Sequence, residues 1–122
     1  MRRVLLCLVP FMLLATLGFA DPISLRVLYA GKPGSEREAR ITAFLQKHFT
    51  RVGKASLTEF KPADAADYDV VIFDWTPMAP EGRILPQPEL PELDETYDRA
   101  TVMVGHVGGS LGGQQHLKLD WL

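Results

Sequence analysis

Three residues have side chains suited to nucleophilic catalysis: Ser110, His106 and Asp74. Ser110 stands in Gly108-Gly109-Ser110-Leu111-Gly112, which fits the G-x-S-x-G pattern that lifts a serine onto a tight strand-to-helix turn. Such a serine needs a base within hydrogen-bond reach and a group that orients the base. In hydrolases with this turn the acid and the histidine follow the serine; here that leaves His116 and Asp120, both on one short segment that points along itself. His106 and Asp74 lie upstream, which is a non-standard order. The motif is also cheap, because four of the ten glycines fall within residues 108–113. A structural turn whose glycines allow close backbone approach is the favoured reading. A small serine hydrolase built on Ser110, His106 and Asp74 is the alternative.

The second stretch with chemical potential is Gly31-Lys32-Pro33-Gly34-Ser35, just before a helix start, where free N–H groups and the helix dipole favour an anion. It is not a phosphate-binding P-loop, since its second glycine comes too early and its lysine lies on the wrong side of it. Glu36 and Glu38 oppose a phosphate, so an ordinary strand-to-helix turn is expected. His48, His106 and His116 are scattered with no paired spacing, which argues against a metal site. His48 is expected on the apolar side of its helix. No residue pattern calls for a cofactor.

The elements that must position these residues can be read along the chain. Residues 23–30 mix alternation with a β-branched and aromatic bias and form the first strand. Ser35 and Glu38 have capping-box spacing. Behind them Ile41, Phe44, Leu45, His48, Phe49 and Val52 recur as one apolar stripe, so the helix is expected to run to a stop at Gly53. Residues 54–60 form a short, polar second strand near an edge. Residues 68–75 follow, with Val70, Val71, Ile72 and Phe73 apolar on both faces, as in parallel strands covered by helices on both sides.

Residues 76–99 hold five of the nine prolines and six acidic residues without a helical period. An extended, proline-stiffened arm is expected there in place of the usual crossover helix. Residues 100–107 form a fourth strand, and 111–122 a final helix with Leu117 and Trp121 inward. The whole predicts an α/β fold: a three-layer open parallel sheet of about four strands. In such a sheet ligands bind beyond the carboxyl ends of the strands where strand order reverses; for a flavodoxin-like order that point lies between strands one and three. The groups facing that point are Lys32, Ser35, Asp74, Thr76, His106, Ser110, Gln114 and Gln115, with Gly108 and Gly109 shaping the turn. A sheet ending at strand four leaves an unpaired edge that invites a second copy or another partner.

The 122 residues set further limits. Arg2 and Arg3, an apolar run over residues 4–19 and the small residues Gly18 and Ala20 have the layout of a secretory signal peptide. The 16-residue run, with Pro10 inside it, falls short of the roughly 20 residues a spanning helix needs. Residues 1–20 are therefore read as a signal and 21–122 as one domain, exported to the periplasm or outside the cell. Membrane contact is expected only through an uncleaved signal segment. Without Arg2 and Arg3 the chain carries 11 basic and 15 acidic residues, a net charge of −4, which gives no footing for nucleic acid. Cys7, the only cysteine, leaves with the signal, taking with it any disulfide, thiolate metal site or cysteine nucleophile.

The order of these segments, with Asp69 to Asp74 in Y-D-V-V-I-F-D-W and Gly105-His106-Val107-Gly108 after the next strand, resembles the class I glutamine amidotransferase-like superfamily. The exported trehalose-utilisation (ThuA-like) branch is most similar. That resemblance implies a flavodoxin-like sheet and spans about residues 25–122. Catalytic members carry a cysteine at the turn, which the mature chain lacks, so amidotransferase activity is not expected. The chain resembles the front half of such a domain, either truncated or minimal. The reading that results is an exported, non-catalytic α/β domain that binds a small polar ligand or a partner protein.

Overall fold

The computed structural model describes residues 21–77, 81–86 and 88–114. The expected signal segment lies outside the described residues, as do Gln115, His116, Leu117, Asp120 and Trp121. The described chain runs β1 (Ile23–Gly31), α1 (Glu36–His48), β2 (Phe49–Ser56), a 3-10 turn at Pro62–Ala65, β3 (Val70–Trp75), β4 (Ala100–Gly105) and α2 (Val107–Gln114). The four strands form one parallel sheet in the order β2-β1-β3-β4. Among the described residues no helix is long and apolar enough to cross a membrane.

Parallel strands buried on both faces read as continuous apolar runs, and β1 and β3 do so. Val27 and Tyr29 of β1 face α1 and pack with Leu45, while Leu28 and Ala30 face the other way. On that second face Val71 and Phe73 of β3 meet Leu57, Phe60 and Ala65 from the β2–β3 connection and Val107 and Leu111 from α2. The two helices thus cover opposite faces of the sheet.

Helix α1 is shorter than the periodicity predicts. It ends at His48, where the Phe49 N–H closes onto the Leu45 carbonyl and the backbone turns extended. Phe49 and Val52, expected on the helix, lie in β2 and reach the same core from the strand. Their aromatic and β-branched types suit a pleated strand, and Gly53, expected as the helix stop, pairs with Leu28 in mid-strand.

The buried row of α1 is Glu38, Thr42 and Leu45, so Phe44 turns outward and is 59% exposed, its ring 4.5 Å from that of His48. Polar contacts at the start of α1 set this rotation. The Ser35 hydroxyl accepts from the Glu38 N–H at 3.1 Å, and the Glu38 carboxylate accepts from Lys54 Nζ at 3.3 Å.

Between β3 and β4 no helix or extended strand occurs among the described residues. The proline-rich arm does a helix's work with isolated side chains: Leu90, Leu93 and Tyr97 pack against the core. Phe60 links them, edge-on to Phe73 at 4.8 Å and to Tyr97 at 6.2 Å.

The turn after β4 falls earlier than expected. Gly105 takes φ +72°, a conformation that favours glycine, and a Cβ there would run into the Trp75 carbonyl. Helix α2 then starts at Val107. Its glycines are poor helix formers; Val107 and Leu111, one turn apart and fully buried, hold it to the sheet.

Candidate functional site

Strand order reverses between β1 and β3, because the chain leaves β1 for β2 on one side and returns past β1 to β3 on the other. Beyond the carboxyl ends of these two strands lies a cleft of about 570 Å³. Strand β1 and its following turn contribute Tyr29, Lys32 and Ser35; α1 contributes Glu36, Arg37 and Arg40. Strand β3 and its exit add Asp74, Trp75 and Thr76, and the arm adds Glu81, Arg83 and Leu85.

At the floor Asp74, only 2% exposed, holds three hydrogen bonds. The Tyr29 hydroxyl donates to Oδ2 at 2.6 Å, Arg37 Nε donates to Oδ2 at 2.7 Å, and Arg37 Nη2 donates to Oδ1 at 2.8 Å. Alternation explains the meeting. Tyr29, Ile72 and Asp74 share the α1 face of the sheet, and Tyr29 reaches along its strand to Asp74 because Gly31 offers no side chain. A Cβ on Gly31 would stand 2.6 Å from the Tyr29 oxygen. Burial, reinforced by the Asp74 carboxylate, raises the Tyr29 hydroxyl above its ordinary pKa of 10.0.

Of the positions singled out from sequence, Lys32, Ser35, Asp74 and Thr76 line this cleft. Ser35 acts there as the helix cap, accepting from Glu38 N–H while its hydroxyl donates to the Lys32 carbonyl at 2.8 Å. His106, Gly108, Gly109 and Ser110 do not line it. They follow β4 on the side of the sheet that α2 covers; His106 touches the cleft only through Trp75, their rings edge-on at 6.2 Å.

Ser110 lies inside α2, with its N–H donating to the His106 carbonyl at 3.3 Å, and Gly105 makes the sharp turn. Asp74 spends both oxygens on Arg37 and Tyr29 and makes no hydrogen bond to His106. Gln114 is exposed at the end of α2, away from the cleft. Among the described residues no group of three His, Cys, Asp or Glu side chains is placed to hold a metal ion.

Sequence reasoning missed Tyr29, Arg37, Arg40 and Arg83. Arg37 and Arg40 read as polar surface of an amphipathic helix, and Tyr29 reads as core. The available signal was positional: Arg37 falls two residues after the cap Ser35, in the first turn of a helix that starts at the switch point. No family model, curated protein or solved structure matches this chain.

Proposed function

We propose that this protein is an exported, non-catalytic α/β domain of flavodoxin-like type that binds a small polar ligand in the cleft between β1 and β3. The observation carrying the binding reading is the cleft itself: an open volume of about 570 Å³ at the strand-order reversal, lined by convergent polar groups over buried Tyr29 and Asp74 bridged by Arg37. This is where open α/β sheets take ligands. The parallel order β2-β1-β3-β4 supports the flavodoxin-like assignment and, with the segments around Asp74 and His106, the resemblance to the amidotransferase-like superfamily and its ThuA-like branch. The charged start, apolar run and small residues within residues 1–20 support export.

A binding role fits the floor better than a catalytic one. Asp74 has both oxygens occupied by Arg37 and Tyr29 and is enclosed, which suits a structural role. Ser110 sits within a helix, without the exposed turn that a nucleophile uses.

The test is a thermal-shift screen of the full chain against sugars, amino acids and organic acids, repeated in Arg37→Met and Ser110→Ala, each against its own baseline. Hits that survive Ser110→Ala and vanish in Arg37→Met support the cleft. Hits with the opposite dependence overturn it, as does labelling by a serine-reactive phosphonate that disappears in Ser110→Ala.

A further inference from the structure

The charges around the cleft do not cancel. Asp74 is bridged by Arg37, and Glu81 by Arg83 at 3.1 Å. Lys32 and Arg40, both exposed along the rim, pair with no carboxylate among the described residues. Among the described residues Glu36 is the one acidic lining residue left without an ion pair. Glu38, the other acid that sequence sets against an anion here, is turned away. It is 7% exposed and accepts from the Gly34 N–H at 3.4 Å and from Lys54 Nζ. The lining therefore holds two unpaired cations against one unpaired carboxylate, within a chain that is acidic overall.

Arg37 adds a donor of fixed position. Its Nε and Nη2 are spent on buried Asp74, so the guanidinium is held rigid, while Nη1 has no acceptor among the described residues. Trp75, half-buried and lining the same cleft, offers an apolar surface.

We propose that the cleft selects small organic anions, with a carboxylate or phosphate held by Lys32, Arg40 and Nη1 of Arg37 and the apolar part of the ligand against Trp75. This inference rests on the reading of the cleft as a ligand site and names the ligand's class. A rigid guanidinium loses little freedom on binding, and charge-assisted hydrogen bonds are the strong ones. Glu36 works against the anion and sets its affinity below what the cations alone would give.

The test uses the full chain with Trp121→Phe, which leaves Trp75 as the sole tryptophan, and follows its fluorescence. The probes are phenyl phosphate, benzoate, benzyl alcohol and glucose. Phenyl phosphate and benzoate should saturate the signal, more weakly as salt is raised, and benzyl alcohol and glucose should not. Lys32→Gln combined with Arg40→Gln should weaken anion binding by about tenfold or more. Glu36→Gln should tighten it, a change of sign that a merely structural role would not produce.

Equal response to benzyl alcohol or glucose and to the anions overturns the anion inference and leaves the polar-ligand site standing. Unchanged anion affinity in the double variant overturns it too. Silence with all four probes removes both readings.

Discussion

Arg37 and Asp74 form a two-pronged bridge between the first turn of α1 and the last residues of β3, with Nε–Oδ2 at 2.7 Å and Nη2–Oδ1 at 2.8 Å. The two partners differ in setting: the Asp74 side chain is 1% exposed and that of Arg37 is 40% exposed. With Tyr29 as third member, this contact ties the helix to the sheet and makes the floor of the cleft. Fold and site share the same atoms.

That asymmetry predicts unequal costs for breaking the bridge. Arg37→Met strands a buried carboxylate and should cost about 2–4 kcal/mol. Asp74→Asn lets the arginine swing into water and should cost less, about 1–2 kcal/mol. Urea midpoints of the two variants check the order. Equal costs, or a larger cost for Asp74→Asn, would mean that the bridge is not the anchor described here.

Gly31 is needed for the Tyr29 hydroxyl to reach Asp74. Gly31→Ala puts a methyl 2.6 Å from that oxygen and should cost about 1–3 kcal/mol while shifting the Tyr29 ring resonances. Gly34→Ala, at a positive φ that Gly31 lacks but in open space, should leave those resonances in place. Ring resonances that ignore Gly31→Ala would contradict the packing.

Stability should fall at both ends of the pH scale for separate reasons. The Arg26 guanidinium and N–H pull the Asp69 carboxyl from 3.8 to about 2. A lowered folded value adds stability above the unfolded pKa, and it is lost as pH falls from about 4 towards 2. Tyr29 is raised, chiefly by burial, so its contribution is intact below 10.0 and is lost as pH climbs beyond. Denaturant midpoints against pH should therefore fall less steeply in acid for Asp69→Asn and less steeply in alkali for Tyr29→Phe, with Asp94 and Tyr97 contributing the remainder.

Gly105 carries the turn into α2. Gly105→Ala forces a side chain into a positive φ against the Trp75 carbonyl and should cost at least about 2 kcal/mol. Leu111→Ala, which empties a fully buried contact holding a glycine-rich helix, should cost about 2–5 kcal/mol. Helical content lost in Leu111→Ala, read by circular dichroism, checks that packing rather than propensity forms α2.

The strands were legible where side-chain type and environment agree. The apolar run from Val70 to Phe73 marks a strand covered on both faces, and β3 is that strand. The Ser35 cap was legible because it is local. The boundary at His48 was not, since Phe49 and Val52 fit a helical stripe as well as a strand, and pairing with β1 decides between them. The elbow at Ser110 was misplaced because four glycines hide which one takes the positive φ; Gly105, outside the motif, does. Lys32, Ser35, Asp74 and Thr76 line the cleft because topology sets them at the carboxyl ends of β1 and β3. Arg37 and Tyr29 were not legible, because their role comes from a contact across 37 and 45 residues of chain.

The most direct measurement of the central claim is amide chemical-shift mapping of the full chain titrated with phenyl phosphate, with glucose as a neutral control that should leave the amides unmoved. Binding in the β1–β3 cleft should move the amides of Lys32, Arg37, Trp75 and Thr76 and leave those of Gly108, Gly109 and Ser110 in place. Shifts centred on residues 105–114, with the cleft amides unmoved, would contradict it.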